Sequence, residues 1–266
     1  MNMKKIYYCL LLMIFYLTAS QGAHAQAYTW NQVTMGGNGA LPSFIAHPKV
    51  PDLYFITTDV GTPYRWNKDL QKWEPLMLFQ AIPVNYWAYD VNETCGSLAV
   101  DPNDSTGNIL YAIVRNSAGS GPGKGRTSPS TILKSTDRGN TWTDMHVPIL
   151  VDPNKTQSYG DRIQVDPANS NNVWAVTDNL GAWSTGDAGA TWSQVSLSAV
   201  DTAGRCTFIV FDKSAGTIAV NGQTVTKRIF RRYHCRHPRH LATGSILYFK
   251  KRRRPEQLYK GSDQPR

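Results

Sequence analysis

Short apolar runs, each closed by a turn signal, recur along residues 44–212, and no stretch shows sustained helical periodicity. One unit repeats: an apolar run, a turn opening on His or Asp, then a second run with an aromatic near its start. It appears as Phe44-Ile45-Ala46-His47-Pro48 leading to Leu53-Tyr54-Phe55, and as Leu98-Ala99-Val100-Asp101-Pro102 leading to Leu110-Tyr111-Ala112. It recurs as Ile163-Gln164-Val165-Asp166-Pro167 leading to Val173-Trp174-Ala175, and an incomplete copy runs through Phe208-Ile209-Val210-Phe211-Asp212. Runs of this length bounded by Asp-Pro and Gly-rich turns predict paired strands and an all-β fold.

A second motif follows the strand unit. Ser135-Thr136-Asp137-Arg138-Gly139-Asn140-Thr141-Trp142 fills every fixed position of the pattern Ser/Thr-x-Asp-x-Gly-x-Thr-Trp. Thr185-Gly186-Asp187-Ala188-Gly189-Ala190-Thr191-Trp192 fills it again fifty residues later, and Asn67-Lys68-Asp69-Leu70-Gln71-Lys72-Trp73 is an eroded copy. This pattern resembles the Asp-box of sialidase-like β-propellers. Its chemistry is that of a hairpin tip: the carboxylate accepts backbone N–H groups across the turn, Gly takes a positive φ, and Trp packs between neighbouring sheets. Asp137, Gly139, Trp142, Asp187, Gly189 and Trp192 are therefore expected to be structural, since a short carboxylate that caps its own turn is not free for catalysis. Units spaced by about 46 to 65 residues match a four-stranded propeller blade with loops.

Composition sharpens the picture in two places. The net charge is +9, but 13 of the 28 Lys and Arg and 2 of the 19 acidic residues fall in residues 227–266. That segment carries +11 and the rest −2, so the basicity is no argument for nucleic-acid binding by the body. All eight Trp also lie before residue 227. At the other end, Lys4 and Lys5 precede the apolar run Ile6–Leu17, with Ala23-His24-Ala25 as a small-x-small cleavage pattern. A signal peptide over 1–25, cleaved after Ala25, predicts a secreted product, extracellular or periplasmic, with no membrane segment once it is removed. Cys95 and Cys206 could pair in an oxidising compartment but form no disulfide framework, and the preferred reading is two free buried thiols. The Gly/Ser/Pro-rich loop Ser117–Ser130 holds Gly123-Lys124-Gly125, where a phosphate loop would need Ser or Thr after the Lys. No cofactor or metal is called for.

The body resembles the xyloglucanases of glycoside hydrolase family 74. The resemblance rests on Tyr28-Thr29-Trp30-Asn31-Gln32-Val33, Gly36-Gly37-Asn38-Gly39, Thr58-Asp59-Val60-Gly61-Thr62-Pro63-Tyr64-Arg65-Trp66, Trp87-Ala88-Tyr89, Gly160-Asp161-Arg162 and Phe211-Asp212-Lys213-Ser214. It implies about three to four blades of an N-terminal seven-bladed propeller over residues 26–227, cutting xyloglucan or a related β-glucan with inversion. Asp59 then matches the catalytic Asp of the Asp-Val-Gly-Gly motif, whose family role is general base, with Thr62-Pro63 replacing the usual Gly-Ala. An inverting glycosidase needs one acid for the leaving oxygen and one base for the attacking water, about 6.5–9.5 Å apart. Without the resemblance, Asp59 reads as a turn Asp capping backbone amides. Pyranose rings stack on aromatic faces, which makes Trp87, Tyr89, Tyr64, Trp66 and Tyr86 candidate substrate residues, Trp87 and Tyr89 foremost because their segment is loop-like and polar-flanked.

The family's general acid falls beyond residue 266, and the propeller pattern stops after Lys227. Residues 228–266 are expected to be a disordered basic tail translated out of frame: a strand Phe-Val-Gly-Ile read two bases late yields Arg231-Arg232-Tyr233. His234, Cys235, His237 and His240 as zinc ligands, or Lys250–Arg254 as a polyanion site, are weaker readings of the same tail. The expectation is a truncated, inactive fragment that folds poorly alone, since an unclosed propeller leaves sheet faces unpacked. The alternative is a non-catalytic propeller binding glycan or protein. A sialidase would need an arginine triad, and nothing in the spacing of Arg65, Arg115 and Arg162 picks one out.

Overall fold

Alternation of buried and exposed positions in short strands produces stacked antiparallel sheets. The structure, a computed structural model, describes residues 34–35, 41–58, 62–84, 95–114, 131–149, 161–177, 181–195, 205–234, 245–248 and 259–261, all within the compact unit Thr34–Arg266. The expected signal peptide, the loop Ser117–Ser130 and Lys250–Arg254 lie outside the described residues. The first sheet holds β1 (Thr34–Met35), β2 (Ser43–Ala46), β3 (Tyr54–Thr57), β4 (Tyr64–Asn67) and β5 (Lys72–Pro75) in the order β1-β5-β4-β3-β2, with β1 parallel to β5. The second is the meander β6 (Cys95–Val100), β7 (Leu110–Val114), β8 (Thr131–Ser135) and β9 (Thr143–Asp144). The third repeats it with β10 (Ile163–Asp166), β11 (Asn169–Val176), β12 (Ala182–Thr185) and β13 (Ser193–Val195).

The fourth sheet opens with β14 (Arg205–Phe211), from which a hairpin of β15 (Thr217–Val220) and β16 (Gln223–Thr226) departs. It continues through β17 (Arg228–His234), β18 (Ser245–Tyr248) and β19 (Tyr259–Gly261). The repeat pattern ends at Lys227, whereas backbone pairing does not: Val210 pairs with Phe230 and Phe211 with Ile229, whose side chain is fully buried. No α-helix occurs among the described residues, and none of their helices is long and apolar enough to cross a membrane. The fold is all-β, a partial propeller.

Three apolar clusters sit between successive sheets, and the period of two explains them. On β7, Leu110, Ala112 and Val114 join the cluster shared with the first sheet, around Phe55, Met77 and Trp142. The intervening Tyr111 and Ile113 join the next cluster, with Ile163, Val165, Val173 and Ala175 of the third sheet. On β11 the same division sends Trp174 and Val176 to the third cluster, with Ile209, Phe211 and Ile229. Apolar area at this density, at roughly 25 cal/mol per Å² removed from water, is what holds the stack together.

Candidate functional site

The meander topology sorts the connections into two ends. At one end lie the Asx turns and the Asp-box tips. At the other, where β6, β10 and β14 begin, lie the β3–β4 connection carrying Asp59 and the β5–β6 connection carrying Tyr86, Trp87 and Tyr89. Asp59, Tyr86, Trp87 and Tyr89 themselves fall outside the described residues.

The turn end is built by side-chain oxygens. In the first Asp-box, Asp137 accepts Ser135 Oγ and Thr141 N, both at 2.8 Å, and Thr141 Oγ1 at 2.6 Å. Arg138 (φ 61°) and Gly139 (φ 88°) turn the chain, and a Cβ on Gly139 would lie 2.9 Å from Leu76 Cδ1. Asp187 repeats the geometry, accepting Thr185 Oγ1 at 2.6 Å and Thr191 N at 2.8 Å. A cation on each preceding sheet then fastens the tip: Arg65 donates to Arg138 O at 3.1 Å, and Lys134 to Ala188 O at 2.8 Å. The strand-unit turns share one device, an acceptor at the first turn residue taking the amide two residues on. Asp101, Asp166 and Asp212 do so through Oδ1 at 2.9, 2.8 and 3.0 Å, and His47 does so through Nδ1 at 3.2 Å. Burial lowers the His47 pKa, consistent with a neutral ring that accepts. Asp101, Asp137, Asp166, Asp187 and Asp212 each accept a backbone amide of their own turn.

The hydroxyls of Thr185 and Thr191 hold the Asp187 pKa down to about 2, against 3.8 in an unfolded chain. A depressed carboxylate contributes stability that is present above the unfolded value and lost as pH falls through the folded one. Thermal melts are therefore expected to show Tm falling between pH 4 and pH 2, with a shallower fall in Asp187→Asn. A Tm flat across that window, or the same slope in the variant, would refute this.

At the other end, the starts of the first strands are pinned across sheets. Ser43 Oγ on β2 donates to Asp161 Oδ1 at 2.7 Å, Arg162 N donates to Ser97 Oγ at 2.9 Å, and Ile209 N donates to Asp161 O at 2.9 Å. Ser97 and Arg162 are both buried. The β3–β4 connection is anchored on either side by Thr58 Oγ1 donating to Thr62 O at 3.3 Å and Met77 N donating to Thr62 Oγ1 at 2.8 Å. Tyr64, which opens β4 here, is 6% exposed. Trp66 packs on Trp73 at 5.4 Å between ring centroids, on the first sheet. The structure separates Arg65, at the Asp-box tips, from Arg162, so these two do not converge on one anion. Asp161 was legible only as part of a motif; its bond to Ser43 spans 118 residues and has no local signal. No cluster of three metal-ligating side chains occurs among the described residues.

No protein-family model matches the chain. It is 33% identical over 223 residues to a xyloglucanase of Paenibacillus sp, taking in 77% of this chain and 20% of that protein. It is 30% identical over 177 residues to the oligoxyloglucan-reducing end-specific xyloglucanase of Emericella nidulans, covering 64% and 19%. Among solved structures it resembles the family 74 xyloglucanase of Xanthomonas campestris, with TM-score 0.62, 25% identity, and coverage of 83% of this chain and 30% of that one. The family 74 enzyme of Niastella koreensis gives TM-score 0.55, 28% identity, and coverage of 80% and 29%. The chain spans about a fifth of the length of these curated relatives.

Proposed function

This chain is xyloglucanase-like, of glycoside hydrolase family 74 and with a propeller fold, and from that premise we propose that it forms the general-base half of an inverting β-glucanase site for xyloglucan. The observation that carries the reading is shared sequence with xyloglucanases along most of the chain. Topology supports it, since the connections holding Asp59 and the Trp87–Tyr89 aromatics emerge at the same end of the sheets. Asp59 takes a proton from a water as that water attacks the anomeric carbon. Trp87 and Tyr89 offer ring faces to the sugars, with Tyr86 as a further candidate. The general acid that protonates the departing oxygen comes from outside these 266 residues. The same reading places the product outside the cytoplasm, delivered by residues 1–25.

Binding without turnover is the expected behaviour. The chain should be retarded in a xyloglucan affinity gel and release no reducing ends. Trp87→Ala should weaken retention about 2- to 10-fold, the worth of one aromatic stacking contact, and Asp59→Asn should leave it intact. Absence of retardation would sink the reading, and release of oligosaccharide by the chain alone would sink the missing acid.

A further inference from the structure

Turns of one kind follow β2, β6, β10 and β14, and they differ in the acceptor at their head. Asp101, Asp166 and Asp212 offer a carboxylate oxygen, whereas the β2–β3 turn offers a ring nitrogen, His47 Nδ1. That nitrogen accepts Lys49 N at 3.2 Å and Val50 N at 3.1 Å. Both partners are donors, so Nδ1 carries a lone pair and the proton of the neutral ring sits on Nε2, 3.1 Å from Asp101 O. One imidazole, 6% exposed, thus shapes its own turn and ties it to the β6–β7 turn. The seat is tight: Val50 and Leu53 lie against Gly107, where a Cβ would collide with Leu53, and Lys49 Nζ donates to Asn103 O at 2.8 Å.

We propose that His47 is an acid switch: a proton on Nδ1 opens the β2–β3 turn and releases it from the second sheet, while the Asp-headed turns of the other sheets hold. The asymmetry is chemical. A carboxylate keeps its acceptor lone pairs down to about pH 4, whereas an imidazole loses its one acceptor nitrogen on taking a second proton, ordinarily near pH 6.5. The imidazolium would aim Nδ1–H at two backbone N–H groups, stripping both amides of their acceptor and placing a charge in a buried site. The groups facing the ring do not reverse this. Burial, the largest influence, and Lys49 work against protonation, while the Asp101 carbonyl and the carboxylates of Asp104 and Asp101 favour it. The balance leaves the ring below its ordinary value. Asp52, in the same turn, is engaged by Lys68. With the folded value below the unfolded one, the neutral ring contributes stability that is fully present above pH 6.5 and is lost as pH falls through the folded value. That loss begins above the pH 4 to 2 fall attributed to Asp187, so the two are separable. The inference does not rest on the sugar chemistry, and it makes the sheet that carries the Asp59 connection the acid-sensitive one.

Amide hydrogen exchange on the full chain, followed by NMR from pH 7 to pH 4 and normalised to intrinsic rates, tests the switch. Protection of the Lys49 and Val50 amides is expected to fall about 5-fold or more, the equivalent of one hydrogen bond, while the Ala168 amide, held by Asp166, keeps its own. The Tm of the wild type should fall over the same range. His47→Asn, whose side-chain oxygen can accept the amide two residues on without titrating, should remove that fall. If the variant fails to fold, the exchange profile of the wild type still decides. Protection retained at Lys49 and Val50 down to pH 4, an equal loss at Ala168, or an acid fall in Tm that persists in His47→Asn would each overturn the proposal.

Discussion

Replacing Asp166 with alanine is expected to lower the unfolding free energy by about 3–5 kcal/mol, the cost of removing one partner from a buried charged network. Its side chain is fully buried, and its carboxylate accepts Ala168 N at 2.8 Å, Thr226 N at 2.9 Å, Asn172 Nδ2 at 2.6 Å and Thr226 Oγ1 at 2.5 Å. Asn172 and Thr226 are themselves buried, so their donors would be stranded away from water. The loss is also architectural, because Thr226 ends β16 and this carboxylate ties that hairpin to the third sheet. Asp101 occupies the equivalent turn of the second sheet and is also buried, yet its carboxylate accepts Asn103 N at 2.9 Å with no comparable cage. Asp101→Ala should therefore cost about 1–2 kcal/mol. Urea unfolding of the two variants decides the matter. Equal, small losses would show that the Asp166 cage contributes nothing beyond its own turn.

The second large effect falls on the two Asp-box tryptophans, which share a motif and differ in burial. Trp142 is 5% exposed within the cluster between the first two sheets, and its indole N–H donates to Gly139 O at 3.1 Å. Trp142→Ala is expected to cost about 3–5 kcal/mol, the range for emptying a buried aromatic site. Trp192 is only partly buried against the next cluster, and its indole N–H finds no acceptor among the described residues. Its alanine variant should cost about 2–3 kcal/mol. Phenylalanine separates packing from hydrogen bonding: Trp142→Phe forfeits a bond worth about 1 kcal/mol, and Trp192→Phe forfeits none. Identical costs at the two positions in denaturant melts would mean that the motif, and not its surroundings, sets the contribution.

Much of the site is local chemistry and was readable as such. The Asp137 and Asp187 tips depend on residues within a few positions of one another, so spacing alone specified the Ser/Thr, Asp, Gly and Trp that build them. The Asx turns at Asp101, Asp166 and Asp212 were readable as turns for the same reason, although His47 as a stand-in acceptor at the first of them needed the structure. The bond from Ser43 to Asp161, and the reach of Arg65 and Lys134 to the next tip, join residues far apart in the chain. No periodicity signals them. The Asp59 assignment came from a motif, and the topology adds only that its connection and that of Trp87 and Tyr89 share an end.

The sequence by itself determined the element type, the strand boundaries near each turn and the repeat length, because period-two burial and turn chemistry act within a few residues. Tertiary structure alone decided which face of each strand meets which neighbour, as when Tyr111 and Leu110 part toward different sheets. It also decided that pairing runs past Lys227, where composition changes sharply. A strand needs backbone partners and one buried alternate position such as Ile229, and a change in charge leaves both conditions met.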